Sequence, residues 1–81
     1  MEPVGRALEA IYREDRQALY TWALSITRCP DGAEDAVQEA FCRLFRLAAA
    51  PRSLRAYVFR AVRNAALDQA SRARPAGEID E

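Results

Sequence analysis

Histidine and lysine are both absent from this 81-residue chain, and glycine occurs only 3 times. Lacking histidine, the chain has neither the commonest general base nor the commonest zinc ligand. The 2 cysteines, Cys29 and Cys42, form no C-x-x-C pair or other metal-binding spacing, so neither a metal nor a cofactor is expected. No nucleophile-elbow pattern, glycine-rich phosphate loop or cluster of carboxylates at a cleft can be read, and the chain is not expected to be an enzyme. No apolar run approaches the roughly 20 residues that cross a bilayer, and Met1 to Arg6 contain no apolar signal core. The expectation is a cytoplasmic protein with reduced thiols and no membrane partner.

Scarce glycine and few β-branched runs leave little to oppose helix, and alanine, which fills 17 positions, favours it. A hydrophobic content of 51% is enough for one core in one small domain, with a thin stability margin. The formal net charge is 0, but the charges are segregated. Residues 1–41 carry 4 arginines against 8 carboxylates, residues 42–74 carry 8 arginines against Asp68 alone, and the tail adds Glu78, Asp80 and Glu81. One acidic end and one basic end suit two partners of opposite character. All 12 basic residues are arginine, a bias that a GC-rich genome explains better than a general demand for bidentate guanidinium contacts.

Apolar residues recur at three- and four-residue steps from Val4 to Thr27 (Leu8, Ile11, Tyr12, Leu19, Trp22, Ala23, Ile26), which predicts an amphipathic helix. The charged stretch Arg13-Glu14-Asp15-Arg16 in its middle allows one long helix or two with a bend. Cys29-Pro30-Asp31-Gly32 reads as a turn, with Asp31 as N-cap of a second helix from about Gly32 to Ala48. Its buried stripe is expected to be Val37, Phe41, Leu44, Phe45 and Ala48. Pro51 to Ser53 make a connection, and a third helix runs from Leu54 to about Arg72 with Ser53 as N-cap. On it Leu54, Val58, Ala61, Val62 and Ala65 share one side, and Arg60, Arg63 and Asn64 the other. Trp22 is expected in the core. The fold class is therefore all-α, a small bundle of three main helices over residues 1–74, and residues 75–81 read as a disordered tail.

Two surfaces carry the candidate chemistry. Asp35, Gln38 and Glu39, spaced i, i+3, i+4, set three hydrogen-bonding side chains on one helix face, which an ordinary solvated face would also do. Arg55, Arg60, Arg63 and Asn64 accompany Tyr57 and Phe59 on the third helix. Arginine neutralises phosphates, asparagine reads base edges and aromatic rings stack on unpaired bases. A solvated arginine face over core aromatics is the alternative.

The order of an acidic Asp-x-x-Gln-Glu helix and then the string Arg55-Ala56-Tyr57-Val58-Phe59-Arg60-Ala61-Val62-Arg63-Asn64 resembles region 2 of bacterial RNA polymerase sigma factors of the extracytoplasmic-function group, over roughly residues 6–74. The resemblance implies that Asp35, Gln38 and Glu39 grip the coiled coil of the polymerase β′ subunit, with Phe41 and Leu44 packing beneath them. It also implies that Arg60, Arg63 and Asn64 approach and melt the promoter −10 element, with Arg55, Arg72 and Arg74 as further DNA contacts. An anti-sigma factor is an implied partner. The connection from Ala48 to Ser53 is shorter than the loop with which many family members capture a flipped base. The resemblance further implies a linker and a −35-reading domain beyond these residues; a natural one-domain protein stays open. Two rival readings keep the fold: a sigma-like mimic that binds an anti-sigma factor, and a module that self-associates through apolar surface.

Overall fold

A computed structural model of the chain describes residues 4–49 and 51–73. They form three helices, α1 (Val4–Thr27), α2 (Pro30–Leu44) and α3 (Leu54–Ala73), each packed on the other two. No strand occurs among the described residues. The three-helix architecture expected from periodicity is the one observed; the tail 75–81 lies outside the described residues.

α1 is a single helix, and its charged middle does not interrupt it. The reason lies in the register of the buried stripe. Leu8, Ile11, Leu19 and Ala23 are buried, and Asp15 stands four residues after Ile11 and four before Leu19, in line with them. Asp15 is drawn to the neighbouring helix, with its side chain only 20% exposed, and is paired there with Arg55 of α3. A polar residue thus continues the stripe because a cation meets it.

α1 ends at Arg28, a non-glycine residue in the left-handed region (φ 58°), whose N–H donates to the Leu24 carbonyl at 2.7 Å. Extended backbone at Cys29, which precedes Pro30 as proline requires, then turns the chain into α2. The expected Asp31 cap is corrected here. Cys29 is the N-cap without a side-chain cap bond, Pro30 opens the helix, and Asp31 lies in the first turn, where its charge complements the helix dipole. The Thr27 hydroxyl accepts from the Cys29 N–H at 3.2 Å and donates to its carbonyl at 3.1 Å, bracing the corner.

α2 stops at Leu44, four residues short of the expected end at Ala48. Arg46 and Leu47 donate to the carbonyls of Arg43 and Leu44, an i to i+3 tightening that rotates the chain out of α-helical register. Leu47 thereby packs against the core while Phe45, expected in the buried stripe, is 48% exposed, and Ala48 is also exposed. The stripe that remains is Ala33, Ala36, Val37, Ala40, Phe41 and Leu44. α3 contributes Val58, Val62, Ala65 and Ala66, with Leu54 and Ala61 partly buried. Burial of this small apolar core at about 25 cal/mol per Å² is the main source of stability. Trp22 is only half-buried, outside the buried cluster, with its ring 5.4 Å from that of Phe59, rather than in the core.

Candidate protein-docking and nucleic-acid surfaces

α2 presents Asp35 and Gln38 as exposed side chains, and Glu39 beside them is half-buried. Glu39 accepts from Arg43 one turn on, at 2.8 Å, so part of its charge is met within the helix. Phe41 and Leu44 lie beneath this face as buried packing residues. The face borders a groove along the seam of α1 and α2. One cleft of 580 Å³ is lined by Tyr12, Arg13, Arg16, Gln38, Phe41 and Phe45 among others, and a second of 310 Å³ shares Tyr12, Arg16 and Gln38 with it. Three rings form the floor: Tyr12 meets Phe41 edge-on at 5.0 Å, and Phe41 lies 6.5 Å from Phe45. Cys42, a free thiol, is exposed on the same groove; Cys29 is free and exposed at the α1–α2 corner.

α3 turns Arg60, Arg63 and Asn64 outward. Arg63 donates to the Asn64 side-chain carbonyl at 3.2 Å, which orients the amide. Tyr57, for which a core position was open, is 38% exposed. Tyr57, Arg60 and Asn64 then share a cleft of 260 Å³ with Arg43, Leu44, Leu47 and Ala61. The cleft lies against the connection between α2 and α3. Because α2 ends early, that connection spans residues 45–53 and is longer than the segment from Ala48 to Ser53 read from the sequence. A ring, a guanidinium and an amide at one opening can stack on a planar base, neutralise a phosphate and bond a base edge.

The remaining expected DNA contacts sit differently. Arg72 is bound to Asp68 one turn earlier. Arg74 lies outside the described residues. Arg55, at the start of α3, donates to Asp15 and, at 3.2 Å, to Glu14, both from the middle of α1. The Glu14 hydrogen bond, and then the Asp15 charge, raise the guanidinium above its ordinary pKa, against a lesser opposing effect of desolvation. This clasp was not read from the sequence. The signal for it was present: an acid at a position of the α1 stripe requires a cation from the facing helix.

Among the described residues no His, Cys, Asp or Glu group is arranged to hold a metal ion, and no described helix is long and apolar enough to cross a membrane. Comparison with curated proteins and with solved structures gave no match. Two faces of opposite chemistry on successive helices, one bordered by carboxylates and one by arginines, accord with what does match: residues 11–75 fit the family model for Sigma-70 region 2, and the chain belongs to that family.

Proposed function

We propose that this domain is a transcription-initiation module that docks on core RNA polymerase through α2 and holds the promoter −10 element through α3. The observation that carries the reading is the family match over residues 11–75. The separation of an acidic face from an arginine face supports it. Asp35, Gln38 and Glu39 meet donors on the β′ coiled coil, with Phe41 and Leu44 fixing their helix from below. Arg60 and Arg63 neutralise phosphates of the −10 strand, and Asn64 offers its amide to a base edge. Tyr57 supplies a stacking surface at the mouth of the cleft beside the connection. Stabilising the single-stranded state in this way favours duplex opening without any covalent step. The formal charge of 0 makes for weak DNA binding by the domain alone, since affinity grows with the number of phosphates neutralised. Polymerase supplies the remainder.

The test is a pull-down of core polymerase, or of a β′ coiled-coil fragment, at low salt. Binding by the wild-type domain that is lost in the Asp35→Ala, Gln38→Ala variant with helix content intact supports the docking face. Absence of wild-type binding would discard the reading in favour of an anti-sigma-binding mimic.

A further inference from the structure

The outer face of α3 carries charge that the three helices leave unmet. Arg43, Arg55 and Arg72 each meet a carboxylate, from Glu39, from Glu14 with Asp15, and from Asp68. Arg60 and Arg63 meet none among the described residues, and Arg63 turns instead to the side-chain carbonyl of Asn64 at 3.2 Å. Leu67, seven residues after Arg60 and four after Arg63, stands in line with both and is 44% exposed. Towards the C-terminal end of the helix the stripe therefore reads cation, cation, apolar.

The segment that follows α3 has the complementary composition. After Arg74 its charged residues are Glu78, Asp80 and Glu81, and Ile79 is its one large apolar residue. Before them, Arg74-Pro75-Ala76-Gly77 places proline second and glycine fourth, where a reversing type I turn favours them. We propose that residues 78–81 fold back along the outer face of α3, with Ile79 over Leu67 and the Glu81 carboxylate on Arg63, one turn from Arg60. The chain thereby covers its own arginine face until a nucleic-acid strand displaces the segment. The displacement rests on the assignment of α3 to the −10 element; the contact within the chain does not.

Reach and register both allow it. The six residues from Ala73 to Ile79 span at most about 20 Å, against about 9 Å back along the helix to Leu67, which leaves length for the turn. Alternate side chains of an extended strand share a side, so Ile79 and Glu81 turn to the helix together. Their separation of about 7 Å matches the four helical residues, about 6 Å, between Leu67 and Arg63. Asp68, the one carboxylate of α3, stands about 100° round the helix from Leu67 and is held by Arg72, so it does not oppose the segment. Exposed ion pairs are individually weak, so the segment gives way to a strand of phosphates rather than excluding it.

The experiment is NMR spectroscopy of the 81-residue chain, with fluorescence anisotropy of a −10 single strand at several salt concentrations beside it. Ile79→Ala, which keeps every charge, is expected to shift the methyl signals of Leu67, and Glu81→Gln the Nε–H signal of Arg63, while Arg13 and Arg16 of the α1–α2 groove stay unmoved. The variant Asp80→Asn, Glu81→Gln is expected to bind the strand roughly threefold more tightly at low salt, the gain fading as salt rises. Ile79→Ala should bind about twofold more tightly, a gain that relief of charge repulsion cannot give because no charge is changed. Unmoved Leu67 and Arg63 signals would overturn the fold-back, as would shifts at Arg13 and Arg16 in their place. Shifted signals with wild-type affinity in every variant would overturn the covering of the arginine face. Failure of all forms to bind the strand would overturn the −10 assignment of α3, and the Leu67 and Arg63 signals would still decide whether the segment folds back.

Discussion

The α1–α2 seam and the outer face of α3 both present arginine, but in settings that give it different work. At the seam, Arg13 and Arg16 flank a recess with an aromatic floor, with Glu34 and Gln38 on its opposite wall. On α3, Arg60 and Arg63 stand out from the helix with Asn64 and Tyr57, and no carboxylate pairs with either among the described residues. A recess with both signs selects a shaped, mixed-charge partner. A protruding face of one sign selects a polyanion. Residue type alone does not tell these surfaces apart; the difference lies in what surrounds each guanidinium.

Breaking the support common to both surfaces has the largest expected effect. Leu19 is fully buried where the helices meet, and Leu19→Ala should cost about 2–5 kcal/mol. In a domain of this size such a loss is a large share of the whole stability, so thermal unfolding followed by circular dichroism should be shifted far down and both binding activities lost together. If one activity survived, that surface would not depend on the bundle.

Separating the surfaces should have an intermediate effect. Replacing Arg60 and Asn64 by alanine is expected to cost about 1–3 kcal/mol in binding a −10 single strand, with a shallower salt dependence, and to leave polymerase binding unchanged. Fluorescence anisotropy at three salt concentrations measures both quantities. Equal loss of polymerase binding would merge the two surfaces into one.

A smaller effect, of opposite sign, is expected at the α1–α2 corner. Arg28 adopts φ 58°, a conformation glycine reaches without the Cβ penalty, so Arg28→Gly should stabilise the domain by about 1 kcal/mol and raise the midpoint by roughly 4–8 °C. Both bindings should be preserved, since Arg28 borders neither the groove nor the α3 cleft.

The smallest effect belongs to the clasp. Its arginine and Glu14 are largely exposed and Asp15 is mostly covered, so Arg55→Gln should lower the melting midpoint by a small amount at low salt and by less at high salt. Because the guanidinium pKa is raised, the arginine's share is fully present below the ordinary arginine value and is lost only as pH rises through the higher folded one. Arginine titration therefore leaves the clasp intact across the neutral range. A large loss of −10 binding in this variant at high salt, with the midpoint unchanged, would instead return Arg55 to the nucleic-acid face.

The number of helices, their order and most of their buried stripes were legible because each depends on local propensity and on a 3.6-residue period, which neighbouring residues carry by themselves. α1 and α3 begin and end where that period predicts, to within a residue. The end of α2 was not legible. The apolar pattern continues through Phe45 and Ala48, and only the packing of Leu47 against the core, with the tightened turn it brings, decides that Phe45 faces outward. The place of Trp22 was not legible either: its spacing fits the stripe, but the core there is built of the buried Ala23, Ala33, Ala36 and Ala66, and the indole lies outside it against Phe59.

The candidate surfaces divide in the same way. Which residue types lie on which helix face follows from the sequence, so the outward placement of Asp35, Gln38, Arg60, Arg63 and Asn64 could be read directly. Whether a given charge is free or already engaged could not. Arg55 and Arg60 are five residues apart on one helix, yet one lies against the carboxylates of α1 and the other opens on a cleft. Arg13 and Arg16 are left to the groove because Glu14 and Asp15 face the other way. The sequence by itself determined the helices and the segregation of charge along the chain. The tertiary structure decided which charges pair across helices, because an ion pair depends on distances of a few ångströms between elements some forty residues apart.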